Sequence, residues 1–267
     1  MQPLPPLRDT AVFLYQERNG RFEPIGTGFN LLVIQSEMTF WYMVTCRHVV
    51  KPLLDTNELV YTRLNRSDRR AVAFEPLRGD WHFHPDPAVD LAVLGRPPGR
   101  GRLEVTAISV DALLTRQRSM ATGYALSEGD EVFFSGLFES HMGEKRNMPI
   151  LRFGHVSMVT DELIQGEYGM ARYYLLEIQA YPFNSGSPVF VIHPTNSMQM
   201  EFSVAGVIAG FFPERQLPRI DETGRTIIFS HLGISSAVPA DSVQEILNLA
   251  DLKEARRKGM GAGRVKR

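Results

Sequence analysis

The sequence predicts a protein of the all-β class, mostly strands, arranged in two halves and closed by one C-terminal α-helix. Short runs rich in β-branched and aromatic residues recur through most of its 267 residues, and Gly, Pro and Asn separate them. Many short strands with such punctuation are typical of β-sandwiches and β-barrels rather than of alternating β-α-β units. A Pro/Gly-rich segment at residues 95–102 (GRPPGRGR) separates two sets of runs, and residues 121–130 are the alternative crossing point.

In the first half, the β-type runs predict strands at residues 11–16, 25–34, 39–45, 59–64, 71–75 and 89–94. The second run contains glycines, which are typical of a strand that bends or bulges. The third run is rich in aromatic and β-branched residues, which indicates a buried strand. It leads into a helical turn or loop at residues 46–50.

In the second half, similar runs predict strands at residues 131–135, 150–159, 173–179, 189–192, 203–212 and 226–229. Residues 213–224 are polar and contain two prolines, which predicts a surface loop or an extended hairpin tip. Residues 242–258 place Val243, Ile246, Leu247 and Ala250 at helical spacing, with Asp241 as a plausible N-cap. The Gly-rich, basic tail at 259–267 predicts a flexible end.

The composition excludes several classes of protein. The formal net charge of −1 gives no overall field that would attract nucleic acid or anionic lipid. Cys46 is the one cysteine, so no internal disulfide can form, which suits a reducing compartment. No signal-peptide pattern opens the chain, and no apolar run approaches the ~20 residues of a membrane span. We therefore expect a cytoplasmic protein with no nucleic-acid or membrane partner; a processed, secreted form is the alternative.

The segment at residues 183–188 (FNSGSP) points to chemistry. Ser185 lies between Asn184 and Gly186 in a predicted sharp turn that leads into an apolar strand. Such a turn projects the hydroxyl outward and leaves backbone N–H groups free to point at one spot, as acyl transfer requires. By itself the motif is weak, because Ser, Gly, Asn and Pro are ordinary turn residues.

Two other polar residues stand in apolar surroundings. His48 follows the apolar run at 40–44, and Asp90 interrupts the apolar run at 88–94. A carboxylate in such a place is costly unless it is hydrogen-bonded, and a buried Asp that orients an imidazole is how a general base is prepared. The candidate constellation therefore runs in the order His48, Asp90, Ser185.

This order, with four local motifs, resembles the chymotrypsin/trypsin-like serine peptidase superfamily in its bacterial form. The matching segments are residues 26–29 (GTGF), 44–50 (VTCRHVV), 90–94 (DLAVL) and 184–190 (NSGSPVF). The residues around the serine resemble those of glutamyl-endopeptidase-like and high-temperature-requirement-like enzymes more than those of digestive trypsins. Residues 205–210 resemble the strand that pairs with substrate, and residues 232–239 the last strand before the terminal helix. The similarity extends over about residues 10 to 250.

The resemblance implies two packed six-stranded β-barrels with the site between them. The first barrel, residues 10–115, would supply His48 and Asp90, and the second, residues 116–240, would supply Ser185. A helix at 241–258 and the basic tail at 259–267 would follow, and the tail could join a further domain or a partner protein.

The resemblance also implies a role for each residue. His48 would be the general base and then the general acid, Asp90 would orient it, and Ser185 would form the acyl-enzyme. The backbone N–H groups of Phe183 and Ser185 would form the oxyanion hole, worth roughly 3 kcal/mol per donor. A peptide or protein substrate would pair with Ile208, Ala209 and Gly210, and no metal or cofactor would be needed.

One departure leaves the activity open. The family usually has glycine where Phe183 stands, and glycine lets that peptide present its N–H at little steric cost. The first hypothesis is an active serine endopeptidase. The second is a weak or inactive protease-fold module that binds peptide by strand addition. An esterase that uses the same three residues is a third.

The remaining chemical candidates are weaker. His82 and His84 have strand spacing and would suit a metal pair, but no further ligand motif accompanies them. Cys46 is two residues from His48 on the same segment, which makes it a buried packing residue rather than a nucleophile. The basic tail would contact nucleic acid or, as we favour, act as a solvated tail or linker.

Overall fold

The computed structural model describes residues 7–35, 37–66, 72–95, 103–194, 200–213 and 231–259. The predicted strand at 226–229, most of the predicted loop at 213–224, most of the Pro/Gly connector and nearly all of the basic tail lie outside the described residues. Within the described residues, no helix combines the length and the apolar character that a membrane crossing requires.

The first half is built from strands around one helix. The strands are β1 (Ala11–Arg18), β2 (Arg21–Gln35), β3 (Met38–Thr45), β4 (Tyr61–Arg66), β5 (Val72–Pro76), β6 (Trp81–Phe83), β7 (Ala92–Gly95), β8 (Leu103–Glu104) and β9 (Ile108–Ser109). Helix α1 (Arg47–Asp55) connects β3 to β4, and a short 3₁₀ turn (Leu7–Thr10) precedes β1.

These strands form a nine-stranded sheet in the order β5-β4-β1-β2-β3-β7-β6. The two short strands branch from this path, since β8 pairs with β4 and β9 pairs with β2. The resemblance implied a six-stranded barrel here. The described strands instead make an open path, because β5 and β6 at its two ends exchange no ladder hydrogen bonds.

The second half contains the closed barrel that the resemblance implied. Its strands are β10 (Glu131–Gly136), β11 (Ile150–Met158), β14 (Tyr174–Glu177), β15 (Pro188–Pro194), β16 (Met200–Pro213) and β17 (His231–Pro239), with the hairpin β12 (Ile164–Gln165) and β13 (Met170–Ala171) outside them. The barrel order is β10-β11-β14-β17-β16-β15. Helix α2 (Arg116–Thr122) precedes the barrel. The predicted class, mostly β with a six-stranded barrel and a helical C-terminal end, is confirmed.

Alternating side chains on β15 join the two halves. Val189 and Val191 face into the barrel and belong to its internal apolar cluster. Phe190, one position away and therefore on the other face, is fully buried in the large cluster that contains the core of the first half. The two halves thus share a continuous apolar contact, which holds the elements on either side of it in fixed relative positions.

The predicted C-terminal helix is interrupted. It consists of α3 (Ala240–Leu247) and α4 (Ala250–Arg257), because Leu249 is extended, with φ −54° and ψ 145°. The break allows Leu247 and Leu252 both to be buried. The predicted N-cap, Asp241, lies inside the first turn of α3, where its carboxylate accepts a hydrogen bond from Arg116 N at 3.0 Å.

Two histidines contact these helices: His82 lies in β6, and His84 directly follows that strand. His82 Nδ1 lies 2.9 Å from a carboxylate oxygen of Asp251, and His84 Nε2 lies 2.6 Å from one of Glu245. Each imidazole therefore faces its own carboxylate on a different helix. Within the described part of the chain, the two rings belong to no group of three candidate metal ligands.

Candidate active site

His48 lies at the start of α1, directly after the buried strand β3. Its backbone N–H donates to Asp90 Oδ1 at 2.9 Å, and its Nδ1 lies 2.6 Å from Asp90 Oδ2. One carboxylate therefore holds both the backbone and the ring of the same residue. Asp90 is 3% exposed, so water does not compete strongly for these bonds. Because the carboxylate only accepts, Nδ1 carries a proton and Nε2 is left as the basic nitrogen.

The loop that carries Asp90 replaces the first residues of the strand predicted at 89–94, which begins only at Ala92. Arg47 fixes this loop by donating to the carbonyl oxygens of His84 at 3.1 Å and Pro87 at 3.2 Å. The Arg47 guanidinium also lies over the rings of Phe83, at 5.0 Å, and Tyr168, at 6.0 Å. Arg47 thus links the His48 helix, the Asp90 loop and the β12–β13 hairpin, a role that no sequence motif signals.

The charges around the pair favour a protonated imidazole. Burial lowers the pKa of His48, but the hydrogen bond and charge of Asp90, together with the charge of Glu167, outweigh it and raise the pKa above 6.5. Burial, Asp90 and Glu167 raise the pKa of Tyr168 to about 12. Burial and the Asp90 charge also raise the pKa of the Cys46 thiol well above its usual value. The tyrosine and the thiol therefore stay neutral, and His48 is left as the proton acceptor beside Asp90.

The residues before Ser185 form a tight turn. Asn184 N donates to Tyr181 O at 3.0 Å, which closes a four-residue β-turn. Pro182 holds the second position with a trans peptide, and Phe183 at the third position has φ +74°. A proline second residue followed by a left-handed third residue defines a type II turn. Phe183 pays about 1–2 kcal/mol for this left-handed conformation, which glycine would adopt freely.

A second turn contains Ser185 itself. Ser187 N donates to Asn184 O at 3.0 Å, and Gly186 at the third position has φ +91°. A Cβ at Gly186 would collide with the carbonyl oxygen of Thr27. Glycine is therefore required here both by the backbone conformation and by the close approach of β2.

The amides of the two turns are used in an alternating pattern. The N–H groups of Asn184, Gly186 and Ser187 all donate to carbonyl oxygens of the protein. Across the described ranges, the N–H groups of Phe183 and Ser185 donate to no acceptor. These two are the groups that the sequence analysis assigned to an oxyanion hole, and they are available to a ligand.

Thr27 on β2 supports both turns from the first half of the protein. Its Oγ1 donates to Phe183 O at 2.7 Å and accepts from Leu137 N at 3.2 Å. Its backbone N–H donates to Ser185 O at 3.0 Å. Thr27 stands in the GTGF segment that the sequence analysis matched, but its hydroxyl had no predicted role.

Asn184 braces the first turn from within. Its Oδ1 accepts from Tyr181 N at 2.9 Å, and its Nδ2 donates to Leu137 O at 2.7 Å. Both polar atoms of this buried side chain are therefore satisfied. The asparagine before the serine thus serves the turn geometry, and its side chain does not point at a substrate.

The Ser185 hydroxyl donates to Ala209 O at 3.3 Å. Among the described residues, this is the one hydrogen bond of that hydroxyl, so Ser185 Oγ and His48 Nε2 are not bonded to each other. The two segments meet at Ile208, whose carbonyl oxygen accepts from Gly186 N at 2.8 Å and from Cys46 Sγ at 3.1 Å. The serine turn and the segment leading to His48 are thus both hydrogen-bonded to the carbonyl oxygen of Ile208.

The three residues predicted to pair with substrate differ in their environments. Ile208 is fully buried, and its N–H donates to Ser187 O at 2.9 Å, so both of its backbone polar groups are already engaged. Ala209 O is held by the Ser185 hydroxyl, and Gly210 is partly exposed. Ala209 and Gly210 are therefore the positions of this strand that an incoming peptide could pair with.

One group of side chains could in principle hold a metal ion. Ligand atoms of Cys46, His48 and Asp90 all lie within 4.8 Å of one another. A tetrahedral zinc site would separate its ligand atoms by about 3.3–3.7 Å. The 2.6 Å contact between His48 and Asp90 is a direct hydrogen bond that leaves no place for an ion. The raised thiol pKa also disfavours the thiolate that zinc prefers, so the residues do not fit a metal centre.

A closed β-barrel packed on a second sheet, with the histidine helix and the serine turn meeting between them, is the architecture of chymotrypsin-like proteases. The chain belongs to the family described as the trypsin-like peptidase domain, because the model of that family matches residues 26–193, well over half of the chain. A search of curated protein sequences finds no significant match.

Solved structures resemble the fold at low sequence identity. The MamO protease domain from Magnetospirillum magneticum (apo form) is 13% identical, with 89% of this chain and 95% of that chain covered and a TM-score of 0.53. The active form of the Rv3671c protease from M. tuberculosis is 16% identical, with 90% and 80% covered and a TM-score of 0.49. At these identities the likeness shows the fold alone.

Proposed function

We propose that this protein is a serine endopeptidase that hydrolyses peptide bonds through His48, Asp90 and Ser185. The observation that carries the proposal is the pair of contacts from Asp90 to the backbone and ring of His48, at 2.9 and 2.6 Å. In the neutral ring they place the proton on Nδ1, so that Nε2 is the nitrogen that can accept a proton, as a general base requires. The free N–H groups of Phe183 and Ser185 supply the second requirement, donors for a developing oxyanion.

In the first step, Ser185 Oγ attacks the substrate carbonyl carbon while His48 Nε2 takes the hydroxyl proton. The carbonyl oxygen becomes negative and accepts hydrogen bonds from the amides of Phe183 and Ser185. His48 then returns its proton to the leaving amine, which departs and leaves an ester on Ser185. Water, deprotonated by His48, repeats the sequence and releases the acid. Asp90 stays ionised throughout and stabilises the imidazolium that forms.

The Ser185 hydroxyl must leave Ala209 O before it can donate to His48. Rotation about its side-chain torsion moves the hydroxyl between staggered wells. A substrate backbone N–H that pairs with Ala209 O would compete for the same acceptor and favour this rotation. Substrate binding and activation of the nucleophile are thereby coupled through one carbonyl oxygen.

The test is cleavage of a mixed peptide library by the wild-type chain and by Ser185→Ala. We expect a reproducible set of internal cleavages with the wild type and none with the variant. Equal cleavage by both proteins would assign the activity to a contaminant and contradict the proposal. The preferred residues around the cut would also define the specificity.

A second candidate function is peptide binding by strand addition without hydrolysis. The resting hydrogen bond from Ser185 to Ala209 favours it, because the nucleophile is not bonded to its base. A peptide that binds in calorimetry and stays intact after prolonged incubation would support this candidate. Cleavage of the bound peptide, lost in Ser185→Ala, would support the endopeptidase.

Glu167→Gln is expected to shift the acid limb of the kcat/KM profile to lower pH. His48 acts as a base only when neutral, so the rate falls as the pH drops through its raised pKa. The charge of Glu167 favours the protonated ring, and an amide removes that contribution. Rates measured between about pH 5 and 9 show the limb directly. The matched control is Glu162→Gln on the same segment, and an identical shift in both variants would refute the local effect.

A further inference from the structure

The turn before the nucleophile has two available forms. In the observed type II form, the peptide between Pro182 and Phe183 leaves the Phe183 N–H unbonded within the described residues. In the type I form, the third residue has φ near −90° and that peptide is rotated by about half a turn. Its N–H would then point away from the hole. Any residue except glycine prefers the negative φ, so a phenylalanine here favours the closed form unless something holds it.

A side-chain hydrogen bond from the first half holds the backbone of Phe183. Thr27 Oγ1 donates to its carbonyl oxygen at 2.7 Å, and Thr27 is fully buried on β2. This bond fixes the carbonyl group of Phe183, which lies just after the peptide that would rotate. It comes from the opposite half of the protein, so it also spans the two halves.

The ring of Phe183 is held by another contact. It packs, partly buried, against an apolar cluster formed by Ala11, Phe13, Tyr15 and Leu137. Three of these residues belong to β1 in the first half. Edge-on contact of Tyr15 with Phe74, at 5.1 Å between ring centroids, stiffens the cluster. A residue with no side chain beyond Cβ could not reach these partners.

From these contacts we infer that the Phe183 side chain is a positioning element that holds the oxyanion hole open. The ring and the Thr27 bond together offset the cost of the left-handed backbone, so the two free amides are in place without substrate or partner. The inference rests on the proposed function and adds to it that the site is permanently assembled. Glycine would adopt the positive φ freely, whereas Phe183 is held in it by the packing of its ring. On this inference the ring does not obstruct the hole.

The test compares Phe183→Ala and Phe183→Gly with the wild type. Alanine removes the anchor but keeps the preference for negative φ, so the turn is expected to close and kcat to fall by about 10²-fold, as for loss of one oxyanion donor. Glycine also removes the anchor but tolerates both forms, so a loss of about tenfold in kcat is expected. The predicted order of kcat is Phe, Gly, Ala, with KM little changed.

The opposite hypothesis predicts another order. If the aromatic ring obstructs the hole, both small residues raise kcat, and the order becomes Gly, Ala, Phe. That result, or equal rates in all three proteins, would overturn the inference. Phe153→Ala, which removes an exposed phenylalanine of β11, is the matched control and is expected to leave kcat unchanged.

Substitutions of Thr27 provide an independent test of the inference. Thr27→Val keeps the shape of the side chain and removes the hydroxyl, and we expect kcat to fall by about tenfold. Thr27→Ser restores the hydroxyl and is expected to rescue the rate. Loss of rate in the serine variant as well would indicate a packing effect and contradict the role of the bond.

Crystal structures of the wild type, Phe183→Ala and Phe183→Gly, each without substrate, measure the backbone angle φ of residue 183 directly. We expect positive φ in the wild type and negative φ in the alanine variant. If no protein cleaves a peptide but φ changes as stated, the proposed function fails and the turn inference stands. If the alanine variant keeps positive φ, the turn inference fails whatever the activity.

Discussion

His48→Ala and Ser185→Ala are each expected to lower kcat for peptide hydrolysis by about 10⁴- to 10⁶-fold, with the fold intact. Without the imidazole nothing takes the proton of Ser185, and without the hydroxyl no acyl-enzyme forms. The two residues act as a unit in one proton transfer. The double variant is therefore expected to be no slower than either single variant. Initial rates on a peptide cleaved by the wild type measure all three.

His155→Ala is the matched control, because His155 is exposed on β11 and has no partner role in the site. Its rate is expected to equal that of the wild type. A single variant that keeps a wild-type rate would contradict the mechanism. Losses that multiply in the double variant would show that the two residues act in separate steps.

Asp90→Asn is expected to lower kcat by about 10⁴-fold, through the tautomer of His48. The backbone N–H of His48 needs an acceptor at the Oδ1 position, so the amide oxygen of an asparagine stays there. The amide nitrogen then takes the place of Oδ2 and donates to Nδ1. The ring proton moves to Nε2, and the nitrogen that faces the substrate can no longer accept a proton.

The measurement is kcat across pH, with thermal unfolding as a check on the fold. Asp86→Asn is the matched control, because Asp86 lies in the same loop and its Oδ1 accepts from Ala88 N, at 2.9 Å. Its rate is expected to be unchanged. An Asp90→Asn enzyme within tenfold of the wild type would contradict the assignment of Asp90 as the residue that orients His48.

The mostly β class and the pairing of His48 with Asp90 were predictable from local patterns. A polar residue inside an apolar run must find a partner when it is buried, and each of these two residues is such a case. The sharp turn that contains Ser185 follows from the turn chemistry of Gly186, which the sequence marks directly. Each of these features is indicated by residues that are close together in the sequence.

Other features depend on contacts that are distant in sequence. The left-handed conformation of Phe183 opposes its own local preference and is held by Thr27, 156 residues away. Arg47 stands in a matched segment, but its hydrogen bond to His84, 37 residues away, has no local signal. Glu167 acts on His48 through its charge and stands in no motif. The helical pattern runs without interruption through the break between α3 and α4, and both helices are docked on the first half by His82 and His84.

The central claim is that Ser185 is a nucleophile activated by His48. The direct measurement is mass spectrometry of the intact and digested protein after treatment with a fluorophosphonate. We expect one phosphonyl adduct on Ser185, formed at a rate that rises as His48 loses its proton, strongly slowed in His48→Ala and absent in Ser185→Ala. No adduct on Ser185 at any pH at which the protein stays folded would contradict the account.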